Sequence, residues 1–108
     1  MPTTEINADA DLVTLINVFT VEPGRQRELV DVLARATEEV MRHQPGFVSA
    51  NLHVSLDGTR VANYAQWESS EHFQRMLANP ECRHHMSAAA EIARFEPALY
   101  SVDSVHHA

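Results

Sequence analysis

Asn63 and Trp67 stand four residues apart in the run Asn63-Tyr64-Ala65-Gln66-Trp67-Glu68-Ser69, and Trp67 is the single tryptophan of the chain. On a strand, residues four apart share a face. A carboxamide and an indole N–H then point into one space, and both can donate hydrogen bonds to an oxygen. The competing explanation is packing, because buried aromatics mostly serve the core. Asn17 lies mid-strand among apolar residues. A buried Asn without a hydrogen bond costs about 1–3 kcal/mol, so Asn17 is either satisfied structurally or lines a pocket. Cys82 and His85, three apart on an expected helix with His84 adjacent, have the spacing of half a zinc site. They have no defined further ligands, and a solvated helix surface explains them better. His106-His107 reads as a frayed end and His72 as helix surface, so no metal is assigned.

Other chemistries are weakly signalled. The glycines Gly24, Gly46 and Gly58 all punctuate turns, so no phosphate-binding loop is present. No Gly-x-Ser-x-Gly elbow exists, and Cys82 has no activating arrangement. The formal net charge of −7 argues against nucleic acid and against an anionic membrane surface. With 108 residues, 44% hydrophobic and 21% charged, the chain suits one compact domain. A domain of that size buries a limited core, and oligomerisation is a natural supplement. One cysteine, no signal peptide and no membrane-length apolar run fit a cytoplasmic protein.

The elements that must position these residues are read in order. Residues 1–11 are small, polar and acidic, a flexible tail before a single domain over 12–108. Leu12 to Val21 reads as a nearly continuous apolar strand. Pro23-Gly24 opens a helix whose stripe is Leu29, Leu33, Ala36 and Val40, stopped by Gln44-Pro45-Gly46. Phe47 to Ser55 and Arg60 to Glu68 are strands joined by Leu56-Asp57-Gly58-Thr59, a hairpin signal. Ser69 or Ser70 caps a short helix with Phe73, Met76 and Leu77 on its apolar edge. Asn79-Pro80 breaks it from a further helix over about Glu81 to Ala93, and Leu99 to Val105 after Pro97 reads as the last strand. The order β-α-β-β-α-β predicts an α+β, ferredoxin-like antiparallel sheet with helices on one face. The open face, supplied with apolar residues by the first strand, predicts a homodimer.

Hairpin register decides which side chains converge. A two-residue turn pairs Leu52 with Asn63 and sets His53 on the opposite face. A three-residue loop pairs Asn51 with Asn63 and brings His53 to the Asn63/Trp67 side. The tolerance of Gly58 for the left-handed region favours the three-residue loop.

Across residues 12–105 the chain resembles the antibiotic biosynthesis monooxygenase family of small dimeric α+β-barrel proteins. The resemblance is sharpest in Phe47-Val48-Ser49-Ala50 and in Asn63 to Ser69, with Pro23-Gly24 and Glu71-His72-Phe73 in support. It implies oxygenation of a small aromatic substrate with O₂ as co-substrate and no metal, flavin or haem. The ionised substrate passes an electron to O₂, the radicals recombine, and the peroxide loses water to leave a quinone. Carried over by position, Asn63 and Trp67 would be the donors to oxygen, and His53 a polar or proton-handling group. Leu52, Asn17, Phe73, Met76 and Arg83 would form the substrate site. The resemblance departs at Phe73, where quinone-forming members have a tyrosine. It departs again on the later helix, where the family arginine is matched only by a displaced Arg83, with Met86 in register.

Two other readings compete. Haem-degrading members of the superfamily share an Asn at position 17, but their Trp and haem-binding His fall at Met76 and Met86. A non-catalytic ligand-binding protein of the same fold is the other, since fold alone does not give function.

Overall fold

The structure is a computed structural model that describes residues 2–108. Eight segments of regular structure follow in order. They are β1 (Val13–Val21), α1 (Gln26–Glu39), a 3₁₀ turn (Met41–His43), β2 (Phe47–Val54), β3 (Arg60–Trp67), α2 (Ser70–Ala78), α3 (Pro80–Ala90) and β4 (Ala93–Tyr100). All strand pairs are antiparallel, in the order β2-β3-β1-β4, which is the ferredoxin-like sheet the element order predicts. None of the described helices is long and apolar enough to cross a membrane.

Local chemistry sets the boundaries. Ser69 caps α2, its hydroxyl accepting the backbone N–H of His72 at 3.1 Å. Asn79 caps α3, its carbonyl accepting from Glu81 and Cys82, and Pro80 follows at the position where its missing N–H costs nothing. Gly46 has φ +85° and lets the His72 side chain close over it; an added Cβ there would lie 2.2 Å from the His72 ring. That approach, with Glu68 N–H donating to the Gly46 carbonyl at 2.8 Å, holds the start of α2 against the turn that opens β2.

The hairpin corrects one expectation. Ser55 N–H donates to the Arg60 carbonyl at 3.0 Å, so the loop is the four residues Leu56 to Thr59, with Gly58 at φ +79°. Asp57 organises it, its carboxylate accepting from the Ser55 and Thr59 hydroxyls, each at 2.7 Å, and from Thr59 N–H at 3.0 Å. The register is therefore Leu52 opposite Asn63 and His53 opposite Ala62, not the three-residue register favoured from sequence.

The last strand is also displaced from its expected position. It runs Ala93–Tyr100 through Pro97 rather than Leu99 to Val105. β4 is an edge strand paired only with β1, and at an edge the absent N–H of a proline breaks no ladder. The described residues of the segment expected to be a loose tail carry no helix or strand, yet they touch the sheet. Gln66 donates to the Glu5 carbonyl at 2.8 Å, and the Thr4 hydroxyl bonds to Asn51.

Two apolar clusters lie between sheet and helices. One joins Leu15, Val40, Ala65, Trp67, Phe73, Met76 and Cys82, and the other Phe19, Val21, Leu29, Val30, Val61 and Ala89.

Candidate active site

The register fixes what faces the helices. Paired residues in an antiparallel ladder share a face, so Asn17 opposite Asn63, Leu15 opposite Ala65 and Ala65 opposite Ala50 all point to the helical side. Asn63, Ala65 and Trp67 follow each other on that side of β3. Four residues of strand span about 13 Å, with the asparagine pair at one end and the indole at the other. The floor between them is alanine.

Small residues from several elements then leave a gap where leucines would have closed a core. Ala36 of α1, Ala50 of β2, Ala65 of β3 and Ala89 of α3 all line a cavity of about 320 Å³. That volume is in the range of small-molecule sites. Phe95 and Leu99 of β4 line it while 43% and 37% exposed, which marks the side on which it meets solvent. Trp67, 2% exposed, is held by edge contacts with Phe47 at 5.5 Å and Phe73 at 6.0 Å between ring centroids.

The wall is apolar except at a few points, and three of those are unsatisfied. Asn17 Oδ1, Asn63 Oδ1 and Trp67 Nε1 are buried and have no hydrogen-bond partner among the described residues. A buried unpaired polar atom costs about 1–3 kcal/mol, and a fold keeps such atoms at a place where something else completes them. Three in one cavity supply donors and acceptors to a polar ligand. Of the other polar wall residues, Thr37 is committed to the Leu33 carbonyl at 2.8 Å, and Gln74 and His85 remain.

The expected site residues divide accordingly. Asn17, Asn63, Trp67, Phe73 and Met76 line the cavity together. Leu52 shares their face but is not part of the wall, because it lies beyond Asn63 on the edge strand β2. His53 is corrected: it is exposed on the far face of the sheet, its ring Nδ1 3.1 Å from the Asn51 carbonyl. The four-residue hairpin loop puts it there. Arg83 is corrected as well. It is exposed on α3 and does not line the cavity, whereas Cys82, His85, Met86 and Ala89 form the inward stripe at i, i+3, i+4 and i+7. Cys82 is fully buried at the base of that stripe, and burial pushes its thiol above the ordinary range. His85 and Met86 were not assigned to the site from sequence. The stripe was the signal that could have placed them.

The antibiotic biosynthesis monooxygenase model matches residues 12–88. The chain belongs to that family. It is 46% identical over 97 residues to tetracenomycin-F1 monooxygenase of Streptomyces glaucescens, covering 90% of this chain and 87% of that one. Deoxynogalonate monooxygenase of Streptomyces nogalater is 36% identical over 94 residues, 86% of this chain and 78% of that one. Among solved structures, SnoaB, a cofactor-independent oxygenase from Streptomyces nogalater, superimposes with a TM-score of 0.79 at 33% identity, covering 89% of this chain and 97% of that one. The ActVA-Orf6 monooxygenase of Streptomyces coelicolor, in complex with nanaomycin D, gives 0.79 at 28%, covering 92% and 93%. Family membership makes the chain an enzyme of the monooxygenase class, as expected from the resemblance. The expected independence from a cofactor agrees with the description of SnoaB.

Proposed function

We propose that this enzyme oxidises a phenolic ring of an aromatic polyketide to a quinone with O₂, without metal, flavin or haem. The observation that carries the reading is the cavity. It is mostly apolar, and Asn17, Asn63 and Trp67 offer it polar atoms unpaired among the described residues. The names of tetracenomycin-F1 monooxygenase and deoxynogalonate monooxygenase, and nanaomycin D on ActVA-Orf6, support the polyketide class.

The protein has three tasks in such a reaction. The apolar wall and the alanine floor hold the ring system and keep bulk water out. The asparagine amides at one end and the indole N–H at the other stabilise oxygen as it gains negative charge, either on the phenolate or on reduced O₂. Phe73 keeps the indole in place by packing alone, the part a tyrosine ring would otherwise play. The substrate supplies the electrons: its phenolate passes one to O₂, the radicals join in a C–O bond, and the hydroperoxide loses water. The phenol O–H, one ring C–H and one O₂ thus become the two quinone carbonyls and one H₂O.

A homodimer is part of the same proposal. The sheet face away from the helices carries Ile16, Val18 and Tyr64, with Val18 37% exposed and the Tyr64 hydroxyl buried and without a partner among the described residues. A second copy would cover the apolar residues; a monomeric mass at micromolar concentration in analytical ultracentrifugation would exclude it.

Oxygen uptake with dihydroxynaphthalene or anthrone-type substrates tests the catalytic reading. Asn63→Ala and Trp67→Phe should each lower the rate at least about tenfold, the low end of what one donor to a developing oxyanion contributes. Unchanged rates in both would remove them from the mechanism.

A further inference from the structure

The oxidation just proposed begins with the loss of a proton. A neutral phenol is a poor electron donor to O₂, and its anion a good one. The asparagine amides and the indole cannot take that proton, since neither is a base near neutral pH. The remaining polar wall residues, Thr37 and Gln74, are no better. Among the described wall residues one side chain is ionisable, and it is His85.

His85 is well placed for the task. It lies on the inward stripe of α3, half-buried, between Cys82 below and Met86 and Ala89 beside it. The imidazoles hydrogen-bonded within the described residues are those of His53, His72 and His106, so the ring of His85 is not committed elsewhere. The ring of His84 lies 5.9 Å away and edge-on, on an exposed residue. Imidazole is the side chain that accepts and returns a proton under physiological conditions.

We propose that His85 is the catalytic base that ionises the substrate hydroxyl and then returns the same proton to the peroxide. This inference rests on the oxygenase reading above. The O–H bond of the phenol breaks, its electron pair stays on oxygen, and the proton goes to the imidazole. The phenolate is oxidised by one electron as O₂ is reduced to superoxide, and their recombination gives a peroxide anion. The imidazolium protonates that anion; the O–O bond of the hydroperoxide then breaks, its distal OH leaves as water with the ring C–H proton, and the proximal oxygen stays on carbon as the new carbonyl. His85 ends neutral, and phenol plus O₂ has become quinone plus water.

The test compares two substrates. One is a hydroxynaphthalene with an ordinary phenolic hydroxyl; the other is a fluorinated analogue already ionised at the assay pH. His85→Ala, with fold checked by circular dichroism, should lose about 10²- to 10⁴-fold in kcat/KM on the first substrate. On the second it should lose less than about tenfold, because the proton is already gone. His85→Gln keeps the volume of the side chain but cannot act as the base, and should show the same split. Added imidazole should restore part of the His85→Ala rate on the first substrate, and His84→Gln should leave both rates intact. An equal loss on the two substrates, or no loss on the first, overturns the proposal while the oxygenase reading stands. No oxygen uptake by the wild-type protein with either substrate overturns both.

Discussion

Replacing Asn63 with leucine should make the protein more stable and nearly inactive. The Asn63 Oδ1 is buried with no hydrogen-bond partner among the described residues, on a strand face where Val61 and Ala65 are its apolar neighbours. Leucine has nearly the same shape and no atom to leave unpaired. Removing an unpaired buried polar atom returns about 1–3 kcal/mol. In a domain of about 100 residues each kcal/mol moves the midpoint by roughly 4–8 °C. Thermal and urea unfolding of Asn63→Leu should therefore show a clear rise, while oxygen uptake falls about 10²- to 10³-fold with the loss of one donor. A quinone product at about one hundred times its Kd should add about 2.7 kcal/mol to the wild type and much less to the variant. A lower midpoint for Asn63→Leu would refute the reasoning. It would mean that the amide is satisfied in the free protein and holds the fold rather than the ligand.

Three further outcomes follow from the same geometry. Ala65→Val narrows the floor between the asparagine pair and the indole, and should cost at least about tenfold in kcat/KM while stability moves by less than about 1.5 kcal/mol; steady-state kinetics with unchanged KM would count against the cavity as the substrate site. Gly46→Ala forces a Cβ to within 2.2 Å of the His72 ring at a φ of +85°, and should destabilise by about 2 kcal/mol or more in urea; a midpoint within a degree of wild type would contradict it. Bonds from the Thr59 and Ser55 hydroxyls, then Thr59 N–H, hold the Asp57 carboxyl down at about 2 from its ordinary 3.8. A depressed carboxyl stabilises the fold above its unfolded value and stops doing so as pH falls through its folded value. The stability gap between wild type and Asp57→Asn should therefore be constant from pH 7 to about 4 and close towards pH 2; a gap independent of pH would contradict it.

Much of the fold was legible because punctuation and periodicity agree. Ser69, Asn79-Pro80 and Gly46 mark boundaries by mechanisms that act within a few residues, and the structure has its caps and turns there. What depends on pairing between distant residues was less legible. The hairpin loop admits several lengths with Gly58 in the left-handed region, and its length alone decides the face of His53. The network around Asp57 selects the four-residue loop, and that network appears only when Ser55 and Thr59 are in place. The sequence places the last strand after Pro97, at Leu99 to Val105, because the edge position of that proline cannot be known before the sheet order is. On α3, Arg83 drew attention as a charged residue near a family position, while the stripe of Cys82, His85, Met86 and Ala89 turned the helix the other way. Asn17 was legible as a mid-strand amide needing a partner. The structure gives its Oδ1 none among the described residues and sets it opposite Asn63.

The most direct test of the account is the stoichiometry of oxygen use by purified protein stripped of flavin and treated with a chelator. With a hydroxylated naphthalene or anthrone substrate, one O₂ should be consumed per quinone formed, one oxygen atom of ¹⁸O₂ should appear in the new carbonyl, and the rate should be lost on substitution of Trp67. Uptake that requires added metal or flavin, or a new carbonyl oxygen drawn from water, would contradict it.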